Sequence, residues 1–213
     1  MNINERSIDR FIIGSSGFAA EIFSWLSSSV DISSVSFVVG DREPLLSPVA
    51  EISCCRDSDL VGRSGFAYMA IGNSELRQKI VANLKKKSRL EFPNLIHNSA
   101  IVDRAAVLGE GNLILPNAIV CPMAKIGSFS ILNLFASLGH EAKIEDFVTL
   151  SPYATLNGKA ECKSFSFLGT HSTVAPGVTI GESATLSANS FANKNVPNKA
   201  LAYGVPAKIV ERK

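Results

Sequence analysis

Residues 113–156 read LILPNAIVCPMAKIGSFSILNLFASLGHEAKIEDFVTLSPYATL and carry an aliphatic side chain at every sixth position. The spacing continues in both directions, giving sixteen hexads that begin at Ile96, Val102, Leu108, Ile114, Val120, Ile126, Leu132, Leu138, Ile144, Leu150, Leu156, Cys162, Leu168, Val174, Ile180 and Leu186. Four residues after each stands a small or slender residue, which is alanine in nine of the sixteen hexads. A period of six fits neither an α-helix nor a long alternating strand. It predicts a parallel β-helix whose short strands each point one large and one small side chain inward.

Three hexads make one coil of this predicted β-helix. Residues eighteen apart in the chain then stack in neighbouring coils, about 4.8 Å from each other. The sixteen hexads would form a little over five coils, with a height of roughly 25 Å. The backbone of each coil pairs with the coils above and below, and the aliphatic columns form a continuous core.

The chain before the repeat alternates between strand and helix signals. The predicted strands are Arg10–Ile13, Val35–Val39 and Phe66–Ile71, and the predicted helices are Phe18–Ser28 and the segment that follows Gly72. In the second helix Leu76, Ile80 and Leu84 share one face, and Asn73 or Ser74 supplies the N-cap. This order predicts a small parallel sheet with helices packed on it. We therefore predict a Rossmann-like α/β domain at residues 1–95 and a β-helix domain with a C-terminal tail at residues 96–213.

Composition excludes several classes of protein. Hydrophobic residues make up 46% and charged residues 19% of the chain, which indicates a folded globular protein. The formal net charge of +2 gives little attraction for a nucleic acid backbone. The start, MNINERSIDR, lacks the apolar core of a signal peptide, and no apolar run reaches the roughly 20 residues of a membrane helix. We expect a cytoplasmic protein without membrane insertion. The four cysteines form no CxxC pair, so neither a disulfide framework nor a zinc site is expected.

Five segments together resemble one enzyme family. They are LGHEAKIEDFVTLSP at 138–152, preceded by Asn133, YGVPAKIV at 203–210, IIGSSGFAAEI at 12–22, FVVGD at 37–41 and AIGNSELRQKI at 70–80. They resemble the hexapeptide-repeat sugar acyltransferases of the sialic acid O-acetyltransferase and nucleotide-aminosugar N-acetyltransferase type. The resemblance implies a left-handed β-helix, a homotrimer, and acetyl-CoA bound as co-substrate between neighbouring β-helices. It also implies a nucleotide-sugar site in the α/β domain.

The resemblance points to His140 as the general base. Acetyl transfer to an amine needs a group that accepts the proton of the acceptor, and a donor that stabilises the oxyanion. His140 follows Gly139 and stands two residues after the inward Leu138, which places it at the edge of a coil. Glu141 is expected to orient the imidazole or to stabilise its protonated form. The family match adds Asn133 to the catalytic residues.

The acyl donor is expected to meet a second group of residues. Gly158 lies one coil beyond His140, where a missing side chain would let the thioester approach and expose a backbone N–H to the oxyanion; the alternative is an ordinary turn glycine. Thr170 and Ala188, also eighteen residues apart, lie along the line where the resembling enzymes contact the pantetheine arm. Lys208 is a candidate contact for a CoA phosphate.

The acceptor is expected to bind in the α/β domain. The predicted substrate-binding residues are Gly14, Ser15, Ser16, Gly17, Asp41, Gly72, Asn73 and Arg77. The first four form a turn at a helix N-terminus that suits a phosphate or a nucleobase carbonyl. A third glycine of the dinucleotide fingerprint is missing, so NAD binding is not predicted. Phe18 and Thr149 stand where many members of the family carry histidine.

The predicted function is acetyl-CoA-dependent N-acetylation of a nucleotide-linked amino sugar, of the 4-amino-deoxy type, in the synthesis of a bacterial glycan. Two alternatives stay open: O-acetylation of sialic acid or another sugar, and a non-catalytic scaffold that binds a nucleotide sugar. No metal is expected, because His97, His140 and His171 are spaced by 43 and 31 residues and do not fall into one column of an eighteen-residue coil.

Overall fold

The computed structural model describes residues 8–27 and 30–210. The chain divides into two compact units, of which the first ends at Pro93 and the second begins at Asn94. Ser28, the expected end of the first helix, and residues 1–7, most of the polar N-terminal start, lie outside the described residues. The roles predicted for the two domains remain predictions.

The first unit contains a parallel sheet of five strands in the order β3-β2-β1-β4-β5. Its strands are β1 (Arg10–Ile13), β2 (Val35–Val39), β3 (Ser53–Arg56), β4 (Ser64–Met69) and β5 (Arg89–Glu91), and its helices are α1 (Gly17–Ser27) and α2 (Ser74–Lys87). Two 3₁₀ turns cover Ile32–Ser34 and Asp57–Leu60. The first two predicted strands are found at their expected bounds, and the third starts and ends two residues earlier. The short strands β3 and β5 were not predicted from the sequence.

Helix α2 buries only Leu84 of the three residues predicted to share its apolar face. Asn73 is the N-cap, because its side chain accepts a hydrogen bond from Leu76 N at 2.8 Å. The buried residues of the helix are Arg77, Val81 and Leu84, whereas Leu76 is 48% exposed. A buried arginine breaks the apolar pattern, and this is why the sequence pattern assigned the wrong stripe of the helix to the core.

The second unit is a parallel β-helix, as the period of six predicted. Its strands are β6 (Leu95–Ile96), β7 (Ile101–Val102), β8 (Val107–Leu108), β9 (Leu113–Ile114), β10 (Ile119–Val120), β11 (Lys125–Ile126), β12 (Ile131–Leu132), β13 (Ser137–Leu138), β14 (Lys143–Ile144), β15 (Thr149–Leu150), β16 (Thr155–Leu156), β17 (Glu161–Cys162), β18 (Phe167–Leu168), β19 (Thr173–Val174), β20 (Thr179–Ile180), β21 (Thr185–Leu186), β22 (Phe191–Ala192), β23 (Leu201–Tyr203) and β24 (Lys208–Val210). Strands three apart pair in parallel through the repeat, so Leu138 lies opposite Leu156, eighteen residues on. The last pair, β23 and β24, is antiparallel.

The strands of the β-helix form three flat sheets around one core. The sheets run β22 to β7, β20 to β8, and β24 to β6, each taking every third strand of the repeat. The large and small inward positions form one cluster, in which Leu138, Leu156, Ala136 and Ala154 have no exposed surface. This burial confirms the predicted register of the hexads.

Corners of the β-helix place non-glycine residues in the left-handed backbone region. Most corner residues, six apart in the chain, have φ between 53° and 63°, including Asn117, Met123, Phe129, Phe135, Glu141, Phe147, Tyr153, Lys159, Phe165, His171, Ser183 and Asn189. Such a φ is uncommon for side chains of this size. Backbone hydrogen bonds to the previous coil fix it, as in Glu141 N to Pro122 O at 3.1 Å.

Candidate active site and acceptor pocket

His140 lies at an exposed corner of the β-helix, between β13 and β14. Its Nδ1 lies 3.1 Å from Oε2 of Glu141, the left-handed residue of the same corner. The imidazole is 62% exposed and can meet a ligand without rearrangement of the core. A carboxylate only accepts hydrogen bonds, so a neutral imidazole in this pair donates from Nδ1 and carries its lone pair on Nε2. This geometry would allow an imidazole to act as a general base with a carboxylate that orients it.

Gly158 lies directly against the imidazole of His140. A Cβ built on Gly158 would lie 2.4 Å from Nε2 and 2.7 Å from Cε1 of His140. The stacking arithmetic had placed Gly158 one coil beyond His140, and the structure brings the two together. The imidazole fills the space above the glycine, so the missing side chain makes room for His140 and not, as expected, for a thioester. Within the described residues, the N–H of Gly158 donates to no protein acceptor.

Lys159 was not singled out from the sequence, although it follows Gly158 on the same corner. Its backbone N–H donates to the carbonyl oxygen of His140 at 3.0 Å. Its Nζ lies 3.7 Å from Oε2 of Glu141, the same oxygen that faces Nδ1 of His140. Adding eighteen to the number of Glu141 would have found this residue.

Asn133, Thr170 and Ala188 share the preceding corner of the β-helix. Strand β13 separates the turn that begins at Asn133 from the turn that holds His140. The side chain of Asn133 accepts a hydrogen bond from Leu134 N at 2.7 Å. Asn189 N donates to Thr170 O at 2.9 Å, which stacks the turns of Thr170 and Ala188. The predicted residues therefore form two separate columns in one chain, one with His140, Glu141 and Gly158 and the other with Asn133, Thr170 and Ala188.

Lys208 begins the last described strand, β24. It pairs with Tyr203 across the antiparallel ladder, and its side chain is exposed. It is therefore accessible to a phosphate, which is what the prediction requires.

A cavity of about 420 Å³ opens in the first unit at the carboxyl ends of β1 and β2. The order of the sheet reverses at β1, which lies between β2 and β4. Ligands of open α/β sheets bind at this kind of crevice. The cavity is lined by the turn residues Gly14, Ser15 and Ser16, by apolar side chains that include Val38, Leu76 and Ile80, and by the carboxylates of Glu43 and Asp57. Leu76 and Ile80, expected in the core, form part of a pocket wall instead.

The turn after β1 can take only glycine at its first position. Gly14 has φ of 133°, and a Cβ there would lie 2.8 Å from the carbonyl oxygen of Ala70. The turn runs into α1 at Gly17, so its N–H groups lie at a helix N-terminus, as predicted. Ser15 Oγ donates to Oε2 of Glu43 at 3.2 Å, which links the turns that follow β1 and β2.

Asp41 lies next to this cavity but does not belong to its lining. Its Oδ1 accepts a hydrogen bond from Ser58 N at 3.0 Å. That hydrogen bond lowers the pKa of the Asp41 carboxyl below its usual value. Glu43, two residues on, lines the cavity, and the sequence analysis did not select it.

Arg77 corrects one of the sequence predictions. We expected it to bind the acceptor, but the side chain has no exposed surface. Its Nη1 donates to the carbonyl oxygens of Ile71 at 2.7 Å and Gly72 at 3.2 Å. Burial lowers the pKa of Arg77 to about 10. Arg77 therefore holds the loop after β4 in place, and Gly72 and Asn73 serve as its acceptor and as the helix cap.

Comparison with known proteins supports the resemblance. No family model matches the chain. A mutant of perosamine N-acetyltransferase from Caulobacter crescentus, in complex with CoA and GDP-perosamine, is 28% identical, with a TM-score of 0.86 over 96% of this chain and 97% of that one. The chain resembles sugar N-acetyltransferases. The acetyltransferase domain of PglB from Neisseria gonorrhoeae, in complex with acetyl-CoA, has a TM-score of 0.87 at 23% identity over 96% of this chain and all of that one.

These neighbours confirm the fold class expected from the sequence, a small α/β domain followed by a left-handed parallel β-helix. Curated relatives match a shorter stretch. Galactoside O-acetyltransferase of Escherichia coli is 38% identical over 42 residues, 20% of this chain and 21% of the relative. A Staphylococcus aureus protein named as an acetyltransferase is 46% identical over 44 residues, and the chain spans about a fifth of the length of both relatives. All these relatives are named as acetyltransferases, the enzyme class expected from the motifs.

Residues 8–27 and 30–210 lack two features that mark other classes of protein. No helix in these ranges is long and apolar enough to cross a membrane. No group of three or more His, Cys, Asp or Glu side chains in them is arranged to hold a metal ion.

Proposed function

We propose that this chain transfers the acetyl group of acetyl-CoA to the amino group of a nucleotide-linked 4-amino-deoxy sugar that is used to build a bacterial glycan. The observation that carries the proposal is the pair of His140 and Glu141, 3.1 Å apart at an exposed corner of the β-helix. The 28% identity to a perosamine N-acetyltransferase over 96% of the chain supports an amine as the acceptor. The enzyme would act in the cytoplasm.

The proposed reaction begins with the lone pair on Nε2 of His140. The amino group of the sugar attacks the thioester carbonyl, and Nε2 takes a proton from the attacking nitrogen. The oxyanion that forms accepts a hydrogen bond from the N–H of Gly158, which has no other acceptor among the described residues. When the intermediate collapses, the carbon–sulfur bond breaks and the CoA sulfur receives the proton from His140. Glu141 stabilises the imidazolium between these two steps.

The proposed acceptor site for the nucleotide is the cavity of the first unit. Apolar side chains such as Leu76 and Ile80 suit the faces of a nucleobase, and Glu43 suits its N–H groups or the ribose hydroxyls. The carboxylate of Asp57 is already paired with Lys87. The N–H groups at positions 15–17 suit a phosphate at the start of α1, whereas the N–H of Gly14 donates to Val38 O at 2.9 Å. Asp41 stays a candidate contact beside the cavity.

The proposed assembly is a homotrimer. Asn133, Thr170 and Ala188 lie on one corner of the β-helix, and His140 lies on the next, with β13 between them. Residues on two corners of one chain cannot close a cleft by themselves, but the corner of a neighbouring copy can supply the second wall. Acetyl-CoA would then lie between copies, with Lys208 as a contact for its phosphates. Sedimentation equilibrium tests the assembly, and a monomer at micromolar concentration would contradict it.

The test of the function is a measurement of turnover. The purified protein is incubated with acetyl-CoA and with UDP-, dTDP- and GDP-linked 4-amino sugars or free sialic acid, and release of the CoA thiol is followed. We expect turnover with one nucleotide-linked amino sugar, and its loss by about 10² to 10⁴ in His140→Ala. Turnover with sialic acid instead would establish O-acetylation. Binding of a nucleotide sugar without any turnover would establish the scaffold.

A further inference from the structure

The carboxylate of Glu141 is shared by two partners. Its Oε2 lies 3.1 Å from Nδ1 of His140 and 3.7 Å from Nζ of Lys159. Within the described residues, these are the two ion-pair partners of Glu141. An exposed glutamate at a corner would otherwise sample several rotamers, at a gain in side-chain entropy. Only some of those rotamers direct an oxygen at Nδ1.

The backbone directs Lys159 at this carboxylate. Glu141 and Lys159 have φ of 60° and 62° and stand one coil apart on the same corner. The hydrogen bond from Lys159 N to His140 O, at 3.0 Å, fixes the spacing of the two turns. Their side chains therefore leave the corner side by side. Met123 precedes them in this column and Gly177 follows, so the column contains one negative and one positive charge.

We infer that Lys159 is a positioning residue, which holds the Glu141 carboxylate against Nδ1 of His140 and so fixes the imidazole tautomer whose Nε2 is the base. The inference rests on the proposed function for the role of His140 in turnover. Its structural part concerns the tautomer alone. A carboxylate at Nδ1 favours the tautomer with the proton on Nδ1, because the other tautomer would place two acceptors against each other.

The tautomer can be measured without any acceptor substrate. The full chain is labelled with ¹⁵N-histidine, and the ring nitrogen signals are recorded at a pH where the imidazoles are neutral. His97 and His171 are internal references. In the native chain we expect separate Nδ1 and Nε2 signals of His140 that indicate protonation at Nδ1. In Lys159→Met we expect the two signals to move towards each other, as the tautomers become mixed, and in Lys159→Arg we expect the native pattern.

Turnover provides the second readout. Because the ion pair is exposed, Lys159→Met should lower kcat by only about two- to fivefold, with the KM of both substrates unchanged. Lys159→Arg should restore kcat. Lys143→Met is the matched control, because Lys143 is similarly exposed and pairs with Glu161 at 3.0 Å on a different part of the coil. This control should change neither the His140 signals nor kcat.

Two results would overturn the inference. One is an unchanged ¹⁵N pattern of His140 in Lys159→Met, which would mean that Glu141 needs no second partner. The other is a raised KM for acetyl-CoA with native kcat, which would make Lys159 a contact of the donor. If the native protein shows no turnover at all, the proposed function fails, and the ¹⁵N signals still decide whether Lys159 sets the tautomer.

Discussion

Nε2 of His140 occupies the space that any side chain at Gly158 would need. A Cβ on Gly158 would lie 2.4 Å from this nitrogen, far inside van der Waals contact. The proposed base and the proposed oxyanion donor are therefore in steric contact. A side chain added at Gly158 would displace the imidazole of His140.

Gly158→Ala should consequently impair turnover and leave the fold intact. The methyl group would push the imidazole off its position, because the ring is exposed and the backbone beneath it is packed in a coil. A misplacement of about 1 Å can cost on the order of 10²-fold in rate. The measurement is kcat for release of CoA, together with the melting temperature. In a His140→Ala background the same change should cause no further loss, and native kcat in the single variant would contradict the coupling.

A buried and an exposed leucine of α2 should respond differently to truncation. Leu84 has no exposed surface, so Leu84→Ala should lower the free energy of unfolding by about 2–5 kcal/mol. Leu76 is 48% exposed and lines the cavity, so Leu76→Ala should cost less than about 0.5 kcal/mol. The second variant should instead weaken binding of the nucleotide sugar. Urea unfolding and calorimetric titration measure the two effects, and equal destabilisation by both variants would show that the faces are wrongly assigned.

Overpacking tests the register of the hexads. Ala136 points inward with no exposed surface, so Ala136→Leu should cost about 1–3 kcal/mol of folding free energy. Lys125→Leu places the same side chain on the outside of β11 and should cost much less. Chemical denaturation of both variants gives the comparison. A native melting temperature for Ala136→Leu would contradict the inward assignment.

An ion-pair network around Glu161, in the sheet of the β-helix that runs from β20 to β8, should make the stability of the protein depend on pH. Hydrogen bonds from Lys163 and Lys143 lower the pKa of Glu161 below its usual 4.5. A carboxyl with a lower pKa in the folded state stabilises the protein above the unfolded pKa, and this contribution is lost as pH falls through the folded value. Glu161→Gln should therefore destabilise the protein at neutral pH by about 1 kcal/mol or less.

Unfolding curves of the native chain and of Glu161→Gln should accordingly converge as the pH falls below about 4.5. Glu182→Gln serves as the control, because Glu182 forms no ion pair among the described residues and its removal should leave the pH dependence as it is. If the free energies of unfolding of the native chain and of Glu161→Gln still differ by the same amount at acidic pH, the ion pairs are not the cause of the difference.

The β-helix was predictable because its physical cause repeats. One large and one small inward position recur every six residues, and each recurrence adds evidence for the same coil. The neighbourhood of His140 and Gly158 followed from the same arithmetic, since eighteen residues make one coil. Lys159 was within reach of this arithmetic and was missed because lysine at a corner looks like an ordinary surface residue.

Other features had no such signal. Phe135, Glu141 and Lys159 adopt a left-handed φ that side chains of their kind rarely take, so nothing in their identity announces a corner. Arg77 is buried although arginine is usually exposed, and it donates hydrogen bonds to backbone carbonyls, which no sequence pattern predicts. Glu43 enters the cavity because the turn from Gly40 to Glu43 folds it back, with a hydrogen bond from Glu43 N to Gly40 O at 3.0 Å. Each depends on tertiary geometry rather than on residue type.

The stacking of strands three apart limits which changes in chain length this protein can accept. Eighteen residues inserted between His140 and Gly158 would add a whole coil, and every later strand would stay in its own sheet of the β-helix. A new turn, however, would then lie against the imidazole in place of Gly158. Six residues removed there would rotate all later corners by one position, so that Gly158 would move to another edge. Lengthening within this family of folds is therefore safe only in whole coils, and only away from the two turns that hold the base.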